Sequence, residues 1–219
     1  MQKKSAEYQP PEGVEAEAER GSRGRVLRNT LGIQRKGDMD RAEYDVLLQA
    51  QAAFVEELTP QTRFTAKLLC RMHKDWLGSI YEWAGQHRTV DVSKDGFTWP
   101  PAALVAQNME AFEVGLLRRH TPCPPGSVPE VARRLAEVHA ELLLIHPFRE
   151  GNGRLARWLA DLMALQAGLP PPKYPFDQKG SQLEQAKYLE AVRAGYLMRY
   201  EPLTGFFAEA LARRGRGAG

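Results

Sequence analysis

The sequence has little cysteine and no long apolar run. Its 219 residues include only two cysteines, Cys70 and Cys123, which lie far apart. This excludes a disulfide-rich scaffold, offers no zinc-binding spacing and suits a reducing compartment. No apolar stretch reaches the roughly 20 residues that span a bilayer, and the N-terminal region lacks the apolar segment of a secretory signal. We therefore expect a cytoplasmic protein that does not enter membranes.

The chain also lacks a large excess of charge of either sign. It contains 30 lysines and arginines against 27 acidic residues, a net charge of +3. Part of this excess lies in arginines near the two ends of the chain, where solvated surface charge is the simpler interpretation. The composition therefore predicts no nucleic-acid-binding face.

Large apolar residues are scarce at both ends. Residues 1–25 mix acids, bases, proline and glycine, and residues 213–219 are arginine and glycine with one alanine. Segments of this kind bury too little apolar surface to offset the entropy of ordering the chain. We predict a disordered N-terminal tail over 1–25, a single domain over 26–212 and a flexible basic tail over 213–219.

The domain itself has apolar residues at helical spacing. The pattern predicts helices near 38–58, 61–83, 101–119, 128–145, 152–167, 181–196 and 202–213. No internal repeat or glycine-serine linker divides them, so we expect one mainly α domain. The exception is a β-hairpin signal, in which two β-prone segments flank Asp95-Gly96, a pair suited to a tight turn.

The most informative segment reads His146-Pro-Phe-Arg-Glu-Gly-Asn-Gly-Arg-Leu-Ala-Arg157. Pro147 moves His146 out of helical geometry at the end of an apolar helix, so its imidazole can face a cleft. With an ordinary pKa of about 6.5, a histidine can take a proton from a hydroxyl near neutral pH. Glu150 offers the hard oxygen atoms that Mg²⁺ prefers in nucleotide sites.

The glycines and arginines that follow favour phosphate binding. Gly151 and Gly153 allow the backbone to approach a ligand, and the helix that starts there has an N-terminus that favours anions. Arg154 and Arg157 are three residues apart, which on a helix puts both guanidinium groups on one side. Together these features predict a site for nucleotide phosphates.

Each residue alone has a simpler interpretation. His146 could be a satisfied structural histidine, and Glu150 a first-turn acid that complements the helix dipole. Arg157 could pair with Asp161, and Gly-Asn-Gly could be an ordinary turn. These alternatives do not explain seven such identities within twelve residues.

This segment resembles the core motif of the Fic family, His-x-Phe-x-Asp/Glu-Gly-Asn-Gly-Arg-x-x-Arg, and every specified position is present. The resemblance implies a Fic-like helical bundle with a short β-hairpin flap over the active site. It implies that His146 is the base that deprotonates a target hydroxyl and that Glu150 binds Mg²⁺. Phe148 would anchor the loop in the core.

The resemblance also assigns the phosphate contacts. It implies that Gly151, Asn152 and Gly153 form the anion hole for the α- and β-phosphates of ATP. Arg154 and Arg157 would contact the outer phosphates.

The likeness extends upstream to His73–Val90, which resembles the family's segment leading from a helix into the flap. The residues expected to form the target-binding flap are Val90, Asp91, Val92, Ser93, Lys94, Asp95, Gly96 and Phe97. A target segment could pair with the edge of this hairpin through backbone hydrogen bonds. Without the motif, an ordinary surface hairpin would be the preferred interpretation.

The activity implied is protein adenylylation, in which AMP passes from ATP to a Ser, Thr or Tyr hydroxyl of a target protein. Other family members transfer UMP, phosphocholine or phosphate, and these remain alternatives. A non-catalytic protein-binding adaptor or a nucleotide-binding regulator is a further possibility from another functional class.

One absence bears on regulation. Many Fic proteins restrain themselves with a helix carrying Ser/Thr-x-x-x-Glu-Gly/Asn, whose glutamate pairs with the second arginine of the motif. Here no Ser or Thr is followed by Glu four positions later. The resemblance then points to a toxin restrained by a separate small antitoxin that supplies the inhibitory glutamate.

Overall fold

A computed structural model gives the fold and describes residues 14–94, 96–175 and 181–213. Predictions for residues 1–13, Asp95 and 214–219 fall outside the described residues. The helices are α1 (Lys36–Glu57), α2 (Ala66–Leu77), α3 (Val105–Phe112), α4 (Arg118–His120), α5 (Val128–Ile145), α6 (Asn152–Gln166), α7 (Gln182–Gly195) and α8 (Glu201–Ala212). A two-stranded antiparallel sheet joins β1 (Ser93–Lys94) to β2 (Phe97–Thr98). The mainly α class with a short hairpin is confirmed.

Helix α2 is shorter than the predicted 61–83. The hydroxyl of Thr65 accepts a hydrogen bond from the backbone N–H of Leu68 at 3.1 Å, which sets the start of the helix. After Leu77 the chain leaves the helix through turns, and Gly85 adopts a left-handed conformation with φ of +82°. These turns bring the chain back toward α2 before it enters the hairpin.

The predicted helix 101–119 is irregular. Helix α3 passes through a π-helical turn at Glu113–Leu117 into the short helix α4. Helix α5, in contrast, follows its prediction because Ser127 and Glu130 form a capping interaction at its start, in which the Glu130 carboxylate accepts from the Ser127 backbone N–H at 2.8 Å.

Helix α5 lies at the centre of the molecule and packs against α6, α7 and α8. Its buried residues include Leu135, Val138 and Leu142, whose spacing of three and four places them on one face. Because α5 ends at Ile145 and α6 begins at Asn152, the motif segment between them is fixed at both ends by core helices. Within the described ranges, every helix is too short or too polar to cross a bilayer.

The structure differs from the prediction of a disordered tail over residues 14–25. The Glu15 carboxylate accepts hydrogen bonds from the backbone N–H and the hydroxyl of Thr89, each at 2.6 Å. The Glu15 carbonyl accepts from Arg149 Nε at 3.0 Å, and Ser22 is fully buried. Polar contacts hold this segment where its composition offers few apolar ones, which is why hydropathy alone did not predict its order.

The packing of α7 on α5 gives a test of the fold. A Cβ added at Gly195 would lie 2.6 Å from the Cβ of Ala140. We expect Gly195→Ala to destabilise the protein by about 1–3 kcal/mol, since overpacking a core contact forces the backbone to shift. Gly205→Ala in α8 is the matched control, because no atom lies within 4 Å of its added Cβ. It should stabilise by about 0.5–1 kcal/mol. Urea denaturation of both variants measures this difference, and equal effects would contradict the packing described.

Candidate active site

A cavity of about 350 Å³ lies between the hairpin, the motif segment and α7. Its walls contain most of the motif residues and part of the predicted flap, namely Val92, Ser93, Lys94, His146, Glu150, Gly151, Asn152, Gly153 and Arg157. A larger groove of about 830 Å³ between α7 and α8 contains none of these residues. The smaller cavity is therefore the candidate active site.

The His146 imidazole is held in one tautomer on the cavity wall. His146 caps α5 in a left-handed conformation with φ of 51°. Its Nδ1 lies 3.3 Å from the carbonyl oxygen of Leu143, which can only accept, so Nδ1 carries the proton. The lone pair on Nε2 is then the one that can receive a proton. The indole ring of Trp99 lies 4.1 Å from the imidazole ring and fixes its plane.

The His146 pKa is lowered to about 4, chiefly by burial, with a contribution from the positive charge of Arg88. The imidazole is therefore neutral at physiological pH and able to act as a base.

Arg88 ties the motif segment to both ends of the hairpin. Its side chain is fully buried. The guanidinium donates to the carbonyl oxygens of His146 at 2.7 Å, Val90 at 2.9 Å and Pro100 at 2.5 Å. Because all three acceptors are backbone atoms, this one side chain sets the spacing between the base and the strands of the hairpin.

His73 supports the motif segment from α2. The backbone N–H of Gly85 donates to its Nδ1 at 2.8 Å, so Nε2 carries the proton and donates to the carbonyl of Glu150 at 3.1 Å. The imidazole stacks on the ring of Phe148 with 3.9 Å between ring centroids. Burial lowers the pKa of His73 to about 4, which preserves this neutral tautomer. Phe148 is fully buried, in the place expected of a core anchor.

The start of α6 depends on two residues with special geometry. Gly151 has φ of +84°, and an added Cβ would lie 2.9 Å from the indole ring of Trp76. A side chain is therefore excluded both by conformation and by space. The buried side chain of Asn152 bonds with the backbone of Phe148, accepting from its N–H at 3.0 Å and donating to its carbonyl at 2.7 Å. Asn152 thus closes the segment on itself and also lines the cavity.

The Glu150 carboxylate lies on the cavity wall with 46% of its side chain exposed. It accepts from the backbone N–H of Gly151 at 2.8 Å. Within the described residues no group of three or more acidic, histidine or cysteine side chains could hold a metal ion. One accessible carboxylate matches the way Mg²⁺ is held when nucleotide phosphates and water supply the remaining ligands.

Arg157 lines the cavity from the second turn of α6. Its guanidinium lies over the ring of Tyr174, 5.8 Å from the ring centroid. The Tyr174 hydroxyl donates to the Asp161 carboxylate at 3.0 Å. Arg157 therefore presents a positive charge to the cavity beside Tyr174.

Residues 63–164, which extend from the start of α2 into α6, match the sequence profile of the Fic/DOC family. This match, together with the relatives and the solved structures below, supports a Fic-family protein. This chain is 28% identical over 196 residues to the probable protein adenylyltransferase Fic of Salmonella typhimurium, a match covering 85% of this chain and 88% of the relative. It is 28% identical over 144 residues to the protein adenylyltransferase VbhT of Bartonella schoenbuchensis, which covers 65% of this chain but only 30% of VbhT.

Solved structures share the fold. The effector protein BepC of Bartonella tribocorum, whose crystal structure contains AMPPNP, has a TM-score of 0.70 to this chain. The match covers 86% of this chain and 93% of BepC, at 22% sequence identity. The predicted Fic-like helical bundle with a β-hairpin is therefore confirmed.

The first arginine of the Fic motif does not line the cavity, although the spacing of the two arginines predicts that they lie together. The Arg154 guanidinium pairs with the buried carboxylate of Glu43 at 2.7 Å and lies 4.8 Å from the ring of Trp76. A longer contact of 3.4 Å reaches the Glu150 carboxylate. Arg154 therefore links α1 to the acid on the cavity wall. Glu43 on α1 is distant in sequence, so helical spacing alone could not indicate this pairing.

The flap divides into a fixed base and a short hairpin. At the base, Val90 is buried and the Asp91 carboxylate accepts from the backbone N–H of Ala102 at 2.7 Å. In the hairpin, Lys94 pairs with Phe97 and Ser93 with Thr98. The side chains that reach the cavity come from Val92, Ser93 and Lys94, whereas Val90, Asp91, Gly96 and Phe97 do not line it.

Arg88, Trp99, His73 and His139 are not recognisable as supporting residues of the site from the sequence. They hydrogen-bond with the backbone oxygens of His146, Leu143, Glu150 and Ala156, respectively. Only their position among backbone carbonyls marks them as part of the site, and one-dimensional spacing does not reveal that position.

Replacing Arg88 tests its contribution to the site. We expect Arg88→Met to lower the free energy of unfolding by about 3–5 kcal/mol, because it leaves several buried carbonyls without a donor. Arg133→Met is the control, since its side chain is 73% exposed in its ion pair with Glu137. It should cost less than about 1 kcal/mol. Guanidinium denaturation compares the two, and similar losses would show that Arg88 is not a structural tie.

The buried neutral histidines predict acid sensitivity. His73 and His146 have pKa values lowered from 6.5 to about 4, and His139 to about 3. Below pH 6.5 the unfolded chain takes up protons that the folded chain does not, so stability is complete above that pH and falls as the pH decreases toward the folded-state values.

The decisive window for this effect lies between about pH 6.5 and pH 5, above the range in which ordinary carboxylates titrate. Denaturation curves at closely spaced pH values should show a falling free energy of unfolding across it. A constant value there would contradict the buried, neutral state of these imidazoles.

Proposed function

We propose that this protein transfers the AMP group of ATP to a Ser, Thr or Tyr hydroxyl of a target protein. The observation that carries the proposal is the meeting of three chemistries on one cavity wall. A histidine with its Nε2 lone pair available, an exposed carboxylate and an arginine surround the start of a helix in the candidate site. The names of the Salmonella and VbhT relatives agree with this activity.

The N-terminus of α6 is the proposed phosphate site. The first backbone N–H groups of a helix have no partner in a preceding turn, and the helix dipole favours an anion there. Gly151 and Gly153 leave the approach to these N–H groups open, and Arg157 adds positive charge one turn away. The AMPPNP bound to BepC supports a nucleotide ligand for this fold.

Glu150 is the residue that would hold a magnesium ion. Its half-exposed carboxylate reaches the same space as the helix N-terminus, so one ion could contact both protein and phosphate oxygens. When bound, the ion would neutralise charge on the phosphates as the leaving group departs.

His146 would begin the transfer by taking the proton of the target hydroxyl on Nε2. The target oxygen forms a bond to the α-phosphorus of ATP as the bond between that phosphorus and the β-phosphate oxygen breaks. Pyrophosphate leaves with the electron pair. The Leu143 carbonyl accepts from Nδ1–H throughout and stabilises the imidazolium that forms.

The flap would hold the target. A peptide segment that pairs with the hairpin could present its hydroxyl at the cavity, because Val92, Ser93 and Lys94 lie on the same wall as His146. Recognition through backbone hydrogen bonds requires little of the target's sequence. The flap would therefore position the target hydroxyl at the cavity more than it would select the target by its sequence.

A separate antitoxin is the proposed restraint. The sequence lacks the Ser/Thr-x-x-x-Glu pattern of a built-in inhibitory helix. A partner that supplies a glutamate to Arg157 would block the outer phosphates. Growth arrest on expression, relieved by a product of the neighbouring gene, would support this arrangement, and toxicity that no neighbour relieves would count against it.

Two observations favour AMP transfer over the alternatives. The Gly-Asn-Gly of the motif is intact, whereas the resemblance to the Fic family implies that the members that transfer phosphate depart from it. The base has the tautomer and the accessible lone pair that a non-catalytic adaptor would not need. Transfer of UMP or phosphocholine uses the same phosphate chemistry, so donor competition with unlabelled nucleotides separates these cases.

The decisive variant is His146→Ala. We expect it to reduce transfer of label from α-³²P-ATP to lysate proteins by about 10²–10⁴-fold, the usual contribution of a general base. AMPPNP should still bind with nearly unchanged affinity, because the phosphate site is on α6. His120→Gln is the matched control, since His120 pairs with Glu137 outside the cavity.

The readouts are a gel with mass spectrometry of labelled bands, and calorimetry for binding. Wild-type label that persists in His146→Ala would refute the assignment of the base. Binding of AMPPNP without transfer to any protein would favour a nucleotide-binding regulator instead.

A further inference from the structure

Helix α1 carries a carboxylate where its apolar face predicts a hydrophobic side chain. Met39, Glu43 and Leu47 are spaced four residues apart, and all three are buried. A buried carboxylate is costly unless it is paired and hydrogen-bonded, and replacing such a pair by apolar side chains is often neutral or stabilising. Stability alone therefore does not account for a glutamate at this position.

Both oxygen atoms of the Glu43 carboxylate accept a hydrogen bond. The Tyr81 hydroxyl donates to Oε1 at 2.6 Å, and Arg154 Nη2 lies 2.7 Å from Oε2. Burial and the bond to Glu43 raise the pKa of Tyr81, so its hydroxyl keeps its proton. The indole N–H of Trp76 donates to the Glu43 carbonyl at 2.8 Å, and its ring lies 4.8 Å from the Arg154 guanidinium. A carboxylate and an aromatic ring thus hold the Arg154 head group together.

The same nitrogen of Arg154 reaches the acid on the cavity wall. Arg154 Nη2 lies 3.4 Å from Glu150 Oε1, a longer contact than the one with Glu43. The backbone N–H of Gly151 donates to that same Oε1 at 2.8 Å. Both hydrogen bonds that the described residues donate to this carboxylate therefore fall on one oxygen. Oε2 is the oxygen left for a ligand.

The difference between the two distances matters for a cation. An arginine in a close pair with Glu150 alone would satisfy the charge of that carboxylate and compete with a metal ion for it. With its charge directed mainly to Glu43, Arg154 orients the Glu150 carboxylate and leaves its negative charge available.

We propose that Glu43 and Arg154 are positioning residues that hold the Glu150 carboxylate with Oε2 free for a magnesium ion, and that Arg154 does not contact the nucleotide. This inference rests on the proposed function and adds the residues that support its metal ligand. Groups that hydrogen-bond to a metal ligand set its orientation, and their loss weakens metal binding by about 10–100-fold.

A direct phosphate contact is the competing role for Arg154, because the resemblance to the Fic motif implies it. The two roles differ in their dependence on metal. An arginine that binds phosphate strengthens AMPPNP binding with or without Mg²⁺. An arginine that positions Glu150 strengthens it only when Mg²⁺ is present.

The test measures AMPPNP affinity by calorimetry, once in EDTA and once in Mg²⁺, and takes the ratio of the two as the enhancement by metal. The single variants are Glu150→Gln, Arg154→Met and Glu43→Gln. The double variant Glu43→Gln/Arg154→Met removes both charges of the pair together. It keeps the proposal testable if Arg154→Met alone leaves a buried charge unpaired and fails to fold.

We expect Glu150→Gln to abolish the enhancement by metal. Arg154→Met, Glu43→Gln and their double variant should each reduce it by about tenfold. Affinity in EDTA should stay at the wild-type value. In the Glu150→Gln background, Arg154→Met should have no further effect, because the two residues act through one another.

Glu57→Gln is the matched control. Glu57 lies on the same helix and pairs with Arg71 at 2.6 Å, but this pair is exposed and does not line the cavity. The control should keep the wild-type enhancement. A loss of affinity in EDTA for Arg154→Met would overturn the proposal in favour of a phosphate contact. An enhancement that neither Arg154→Met nor Glu43→Gln reduces would also overturn it.

A second readout needs neither nucleotide nor metal. In a crystal structure of Glu43→Gln, Arg154 should shorten its contact with Glu150 from 3.4 Å to the length of an ordinary ion-pair hydrogen bond, about 2.7–2.9 Å. A contact that keeps its wild-type length would overturn the inference. A wild type that binds AMPPNP in neither buffer, together with the shortened contact, would count against the proposed function alone.

Discussion

The site depends above all on one buried cation among backbone carbonyls. A guanidinium removed from water must replace its hydration with hydrogen bonds, and Arg88 does so with the carbonyls that end α5 and border the hairpin. The backbone of His146 and the backbone at both ends of the flap are thereby hydrogen-bonded to the same guanidinium group. Any movement of the hairpin base relative to His146 would leave part of a buried charge unpaired, which strongly opposes such movement.

Much of the fold could be read from the sequence. The helices of the core follow the period of their apolar residues. The first residues of α5 and α6 follow directly after Ser127 and Gly151, which suit the start of a helix. The sequence predicts less well those segments whose structure depends on contacts between residues that are distant along the chain. Helix α2 ends at Leu77, before the predicted residue 83, because the chain turns back and the backbone N–H of Gly85 bonds with His73 of that helix. Residues 14–25 are held by contacts with Thr89 and Arg149.

For the candidate site, the sequence identified the cavity-lining motif residues but not their separate environments. Helical spacing places Arg154 and Arg157 on one side, yet a buried glutamate of α1 pairs with the first and the ring of Tyr174 lies under the second. The spacing of residues along a helix predicts only which side chains of that helix lie next to each other. The ion pair with Glu43 of α1 holds Arg154 away from the cavity, whereas Arg157 lines it.

The side chains that support the site donate hydrogen bonds to backbone oxygens. Arg88, His73 and Trp99 all bond to main-chain oxygens, including those of His146, Glu150 and Leu143. Every residue type provides such an oxygen, so the chemistry of the site constrains the donors and leaves many acceptor positions open to substitution. A scaffold built this way can keep one active-site geometry while most of its sequence drifts, which accords with a shared fold at 22% identity to BepC.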